Sequence, residues 1–126
     1  AMITATEQML PGMPACVEAA MLAKMSDRGQ IAGCVVDGPL ALDVALCKEA
    51  AEIKKLKSEV AGDADCLVFP NIESANVFYK VSGHFCPGVK MAAMVAGAKA
   101  PCVLSSRADS TETKLNSIAL AALTAK

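Results

Sequence analysis

Short apolar runs alternate with stretches of helical spacing along this chain, and that alternation limits the fold more than any single motif does. Residues 31–36 form a buried-strand pattern with two β-branched valines, halted by Asp37-Gly38-Pro39, and residues 40–53 then place Leu42, Ala45, Leu46 and Ala50 at helical steps. Residues 66–69 repeat the theme, ending at Pro70, with Asn71 positioned to cap a helix over 72–81. Residues 102–104 repeat it again before a helix over 110–126 that carries Leu115, Ile118, Ala119, Ala122 and Leu123 on one stripe. An earlier helix over 15–25 follows Pro14 and carries Val17, Ala20, Met21 and Met25, and residues 2–5 resemble the tail of a strand. Residues 91–96 read as a strand by position, with a helix left open by their Ala and Met content. Strand and helix in alternation imply an α/β fold, a mostly parallel sheet flanked by helices.

A chain of 126 residues is expected to form a single domain, 1–126. Aromatics make up 3% of it and hydrophobic residues 54%, so Ala, Val, Leu, Ile and Met must fill the core. A net charge of -1 argues against nucleic acid or a charged membrane surface as the main partner. The six cysteines lie mostly in apolar runs, with no C-x-x-C, and read as reduced, mostly buried small hydrophobes in a cytoplasmic protein. No basic leader with a long apolar stretch opens the sequence, and no segment reaches the roughly 18 apolar residues of a membrane span.

Chemistry is expected where the third run ends. Ser105, Ser106 and Arg107 bring hydroxyls and a guanidinium to a strand end, the usual ligand position in α/β proteins. Asp109 and Glu112 have the spacing of a capping box, and the helix they open would favour an anion held by Arg107. The same features serve equally well as a plain strand-to-helix turn. Asp37 and Asp43 flank another strand end, either as turn and cap residues or facing the same crevice as Ser106. Asn76 falls on the apolar stripe of its helix, as a satisfied buried amide or a ligand contact. His84 has no second histidine for a metal site, and Gly83 and Gly88 lack the lysine and hydroxyl of a phosphate loop, Val89 standing where that lysine belongs.

Taken together, several stretches resemble the phosphate acyltransferases, the phosphate butyryltransferase and phosphate acetyltransferase family. They are Gly12-Met13-Pro14-Ala15, Lys24-Met25-Ser26-Asp27-Arg28-Gly29-Gln30-Ile31, Val36-Asp37-Gly38-Pro39-Leu40-Ala41-Leu42-Asp43, Ser58-Glu59-Val60-Ala61-Gly62-Asp63-Ala64-Asp65, Phe69-Pro70-Asn71-Ile72-Glu73, Asn76 with Tyr79-Lys80, Gly97-Ala98-Lys99-Ala100-Pro101 and Ser106-Arg107-Ala108-Asp109-Ser110. Family members are considerably longer, so the resemblance implies a C-terminal portion, part of the second domain of a fold like that of the isocitrate and isopropylmalate dehydrogenases. Residues 110–126 return, in relatives, to a first domain that has no counterpart here.

The implied reaction moves an acyl group, butyryl or acetyl, between coenzyme A and inorganic phosphate, with coenzyme A as a substrate and no covalently bound cofactor or metal. The resemblance makes Ser106, Arg107, Asp109 and Glu112 the catalytic candidates. Arg107, Asp37, Asp43, Asn76, Tyr79 and Lys80 are the candidates for substrate binding. Arg107 would grip phosphate through two N–H groups and Ser106 would donate to the thiolate or developing oxyanion. Acetyltransferase relatives are thought to take the thiol proton with an aspartate; Glu112 and Thr113 stand at about that place, and Asp109 is the other candidate. Ala75 and Asn71 depart from the small glycine and the aspartate usual in relatives. The expected partners are acyl-CoA, phosphate, a first domain and further copies of the chain, because the stripe of Leu115, Ile118, Ala119 and Leu123 would otherwise stay exposed. A portion of this size is expected to be inactive alone; the alternative is a non-catalytic coenzyme A-binding or assembly domain.

Overall fold

The computed structural model describes residues 1–125, which divide into two compact units, Ala1–Val77 and Phe78 onward. Five helices follow in order: α1 (Pro14–Asp27), α2 (Leu42–Leu46), α3 (Lys48–Ile53), α4 (Ile72–Phe85) and α5 (Thr111–Thr124).

In the first unit, three extended segments lie side by side. Met2 bridges Val68 and Ile3 bridges Leu40, both in parallel. Backbone bonds from Met2 to Asp37, Leu40 to Met2, Thr4 to Leu40, Ile3 to Val68 and Val68 to Ala1 fasten the centre segment on both sides, at 2.8–3.1 Å. Beneath them Ile3, Leu40, Val44, Ala45, Ala51 and Val60 form the buried cluster. Gly38 lets α1 close over this seam: a Cβ there would stand 2.6 Å from the Met2 Cβ and 3.3 Å from that of Ala19.

The expected sheet is reduced, among the described residues, to isolated bridges, and local chemistry explains why. Pro39 has no N–H to give, and the Gly38 N–H is taken by the Asp37 carboxylate at 2.8 Å. Residues 31–36 form no strand, because Gly33 turns left-handed at φ +86 and Ser26 occupies the neighbouring backbone instead. The Val36 N–H donates to the Ser26 hydroxyl at 3.2 Å, which removes it from any ladder. The second unit contributes an antiparallel bridge, Val95 to Cys102, so its one described pairing is not parallel.

Helix positions follow the sequence more closely than helix faces do. On α1 the buried side chains are Cys16 and Ala19, while Val17 and Met21 are exposed; at Ala19 a small residue is what the close approach to Gly38 accepts. The expected helix over 40–53 is two helices broken at extended Cys47. A continuous helix would need the Val44 and Ala45 carbonyls for its next turn; they accept instead from Gly62 at 2.8 Å and Ala64 at 3.3 Å. Gly62, at φ +80, comes so near that a Cβ would lie 2.5 Å from the Lys48 Cα. α4 continues to Phe85, so His84 is helical and not in a loop. Asn71 does cap it, its side-chain oxygen accepting from the Ser74 N–H at 2.9 Å.

In the second unit Ser117 and Ala121 are the buried residues of α5, and Leu115, Ile118 and Leu123 point outward. The Ser117 hydroxyl accepts from the Ala93 N–H at 2.9 Å and donates to the Thr113 carbonyl at 2.7 Å, and Asn116 donates to the Met91 carbonyl at 3.4 Å. Segment 91–94 is thereby fastened along α5 by polar bonds. Of the six unpaired cysteines only Cys16 is buried, which corrects the expectation of a mostly buried set.

Candidate active site

A cavity of about 240 Å³ opens in the second unit, lined by Tyr79, Lys80, Gly83 and His84 of α4, by Met91, and by Ala108, Asp109, Ser110 and Thr113 at the start of α5. Two helices, the turn before α5 and Met91 of segment 91–94 therefore build it. α4 supplies a cation and an aromatic ring on its last two turns, with the Lys80 Nζ 5.2 Å from the Tyr79 ring centre. The beginning of α5 supplies hydroxyls, and its unpaired N–H groups give that end a partial positive charge.

The cap of α5 differs from expectation. Ser110, extended at φ -62 and ψ 159, is the N-cap and accepts from the Thr113 N–H at 3.1 Å. Asp109 is thus released from capping and turns back on its own loop, where Oδ2 accepts from the Ser106 N–H at 2.8 Å and Oδ1 lies 3.6 Å from the Lys80 ammonium. Glu112 pairs with Lys90 at 3.3 Å, both side chains well exposed.

Ser106 and Arg107 do not line the cavity; they stand on the turn whose next three residues form its rim. Both are exposed. The Ser106 hydroxyl accepts from the Ala108 N–H at 3.3 Å, which leaves its proton available to an acceptor. The Arg107 carbonyl accepts from Lys114 at 3.2 Å, while its guanidinium forms no ion pair among the described residues.

The remaining candidates lie in the first unit or on its part of α4. Asp37 holds the Gly38 N–H, a turn duty. Asp43 pairs with Lys54 at 3.1 Å, and the same ammonium holds Glu7 at 2.9 Å. That network moves all three titrations. Burial pushes Glu7 up, but the Lys54 hydrogen bond and charge, with backbone bonds, outweigh it and leave the carboxyl below its ordinary range. The Lys54 hydrogen bond likewise lowers Asp43, and the bonds from Glu7 and Asp43 raise Lys54. Asn76 is exposed, which corrects its expected burial in an apolar stripe. His84 is a cavity residue that a two-histidine metal motif does not single out; its signal was spacing, four residues after Lys80 on one helix. Among the described residues no cluster of His, Cys, Asp and Glu could hold a metal ion, and no helix is long and apolar enough to cross a membrane.

The phosphate acetyl/butaryl transferase family pattern matches residues 1–122. The chain belongs to this family. It is 58% identical to the phosphate butyryltransferase of Clostridium acetobutylicum over 98% of its own length and 40% of that protein's. With the phosphate acetyltransferase of Thermotoga maritima it shares 52% identity over 98% of itself and 42% of the relative. A solved structure, a branched-chain phosphotransacylase from Enterococcus faecalis V583, superimposes with a TM-score of 0.83 at 36% identity, covering 96% of this chain and 43% of that one. The chain thus spans about 40% of the length of the curated relatives it matches.

Proposed function

We propose that this chain is part of a phosphate acyltransferase, which converts acyl-CoA and phosphate into acyl phosphate and coenzyme A, with a butyryl or acetyl group as cargo. The observation that carries the reading is the succession, in a member of this family, of a Ser106 hydroxyl whose oxygen already accepts a backbone N–H and an exposed Arg107 whose guanidinium forms no ion pair among the described residues. Such a hydroxyl has its proton to give. Arg107 would hold phosphate through two N–H groups and Ser106 would donate to the carbonyl oxygen as it gains charge or to the departing sulfur. Attack by a phosphate oxygen on the thioester carbon then forms the new C–O bond as the C–S bond breaks. The thiolate leaves with the electron pair, and no enzyme-bound acyl group is required. In the reverse direction the thiol must lose a proton, for which Glu112, exposed beside Lys90, is the available carboxylate. Tyr79 and Lys80, which line the cavity, are the residues we assign to substrate contact.

Coverage of about 40% of the relatives leads us to place the activity in a longer protein, with a first domain completing the cleft. Residues 1–126 would form part of one α/β domain like the second domain of the isocitrate and isopropylmalate dehydrogenases, its bridged segments belonging to a mostly parallel sheet. Residues 110–126 would return to the first domain. We further propose a cytoplasmic homo-oligomer, the outward Leu115, Ile118 and Leu123 being covered in the assembly.

The test measures acyl phosphate, trapped as hydroxamate, from butyryl-CoA and phosphate. The chain is assayed alone and with the part of the Clostridium acetobutylicum relative that precedes the matched region. Little product alone, substantial product on complementation, and a loss of at least about 100-fold in Arg107→Lys are expected, because lysine cannot make the two-pronged contact. Absence of product in both arrangements, or an unimpaired Arg107→Lys, refutes the reading; coenzyme A binding without turnover would instead indicate a non-catalytic domain.

A further inference from the structure

We propose that Asp109, braced by Lys80, is a positioning residue that sets the Ser106-Arg107 turn and is not the proton acceptor of the reaction. Its carboxylate is nearly enclosed, with 11% of the side chain exposed, and both oxygens are committed. Oδ2 accepts from the Ser106 N–H at 2.8 Å and Oδ1 faces the Lys80 ammonium at 3.6 Å. The loop closes a second time on the backbone, where the Asp109 N–H donates to the Ser106 carbonyl at 3.1 Å.

Further bonds fix what lies between. The Ala108 N–H reaches the Ser106 hydroxyl and Lys114 reaches the Arg107 carbonyl. Backbone and hydroxyl oxygen are therefore held, while the Ser106 proton and the Arg107 guanidinium remain for substrate. A carboxylate engaged through one oxygen by the Ser106 N–H and facing Lys80 with the other is placed to hold the turn. Ser110 makes the arrangement possible by capping α5 itself.

The role rests on the transferase reading for what Ser106 and Arg107 do, but its first test needs no turnover. Amide hydrogen exchange is followed by NMR in the 126-residue chain and in Asp109→Ala, Asp109→Asn and Lys80→Met. A bond from an N–H to a charged acceptor is strong enough that Asp109→Ala should speed exchange at Ser106 by about tenfold or more. Asp109→Asn keeps an acceptor oxygen and should recover most of the protection. Lys80→Met should raise exchange about threefold, with Ala121 on α5 unchanged as the folding control. If Asp109→Ala also exposes Ala121, Lys80→Met decides alone.

In the complemented transferase assay, Asp109→Ala should lose at least about tenfold more kcat than Asp109→Asn. A proton acceptor would be lost equally in both. Equal kcat losses, or Ser106 exchange indifferent to Asp109→Ala and Lys80→Met, overturn the proposal. Absence of turnover in every variant and in the wild type would count against the transferase reading while leaving the exchange result to decide the positioning role.

Discussion

Replacing Ser117 by alanine should loosen the second unit at one identifiable place. Ser117 is fully buried, and its hydroxyl joins segment 91–94 to α5 through the Ala93 N–H at 2.9 Å. Losing that acceptor strands a backbone donor, a cost of about 1–3 kcal/mol when the donor is well buried. Ala93 is only half-buried, so water can partly replace the hydroxyl and the lower half of that range applies. Against it stands the better helix propensity of alanine, about 0.5 kcal/mol, and the release of the back-bond to the Thr113 carbonyl. The net expectation is roughly 1 kcal/mol of destabilisation, about a fivefold change in a local opening equilibrium. Hydrogen exchange should show the Ala93 amide accelerating by that factor, and urea unfolding should show a lower midpoint with an unchanged slope. The cavity should feel it too, since Met91 in its wall sits two residues before Ala93. Unchanged exchange at Ala93 together with an unchanged urea midpoint would refute this accounting.

Leu40→Ala should cost about 2–5 kcal/mol, because the side chain is 1% exposed within the first unit's core, and chemical denaturation will measure it. Gly62→Ala should cost at least about 2 kcal/mol, combining a left-handed backbone with a Cβ driven against the Lys48 backbone, and thermal unfolding is the readout. Glu7 and Asp43 titrate below their ordinary values of 4.5 and 3.8, so their stabilisation is complete above those values and is lost as pH falls through the lowered ones. Lys54, raised above 10.5, holds its contribution below that pH and loses it as pH rises further. Urea midpoints taken from pH 7 to pH 3 should therefore decline on the acid side, and Glu7→Gln should decline less steeply.

Elements governed by local chemistry were legible in the sequence. Pro14, Asn71 and the polar cluster before residue 111 announced where α1, α4 and α5 begin, because capping and proline geometry are short-range matters. The break at Cys47 was hidden, since its cause is a loop arriving from residues 62–64 to claim two carbonyls. The buried face of α1 was hidden for a related reason: apolar spacing favoured Val17 and Met21, whereas the buried residues are Cys16 and Ala19, the latter small enough for the close approach to Gly38. Residues 31–36 have strand composition, but Ser26, on the preceding helix, takes the Val36 N–H and the Cys34 carbonyl instead. In the candidate site the Ser106-Arg107 turn and Asp109 could be singled out from sequence, while the exchange of cap from Asp109 to Ser110 depended on two neighbouring residues able to do the same job. His84 and Met91 entered the cavity through the length of α4 and the fastening of residues 91–94, neither of which a motif encodes.

Five of the six cysteines, Cys34, Cys47, Cys66, Cys86 and Cys102, face solvent. A colorimetric reagent that counts liberated sulfhydryls would titrate the protein itself before any product, with a background of up to five equivalents per chain. Concentrated samples left in air are liable to link chain to chain through the same groups, so a reductant belongs in any sizing experiment, and covalent aggregates must be told apart from genuine assembly.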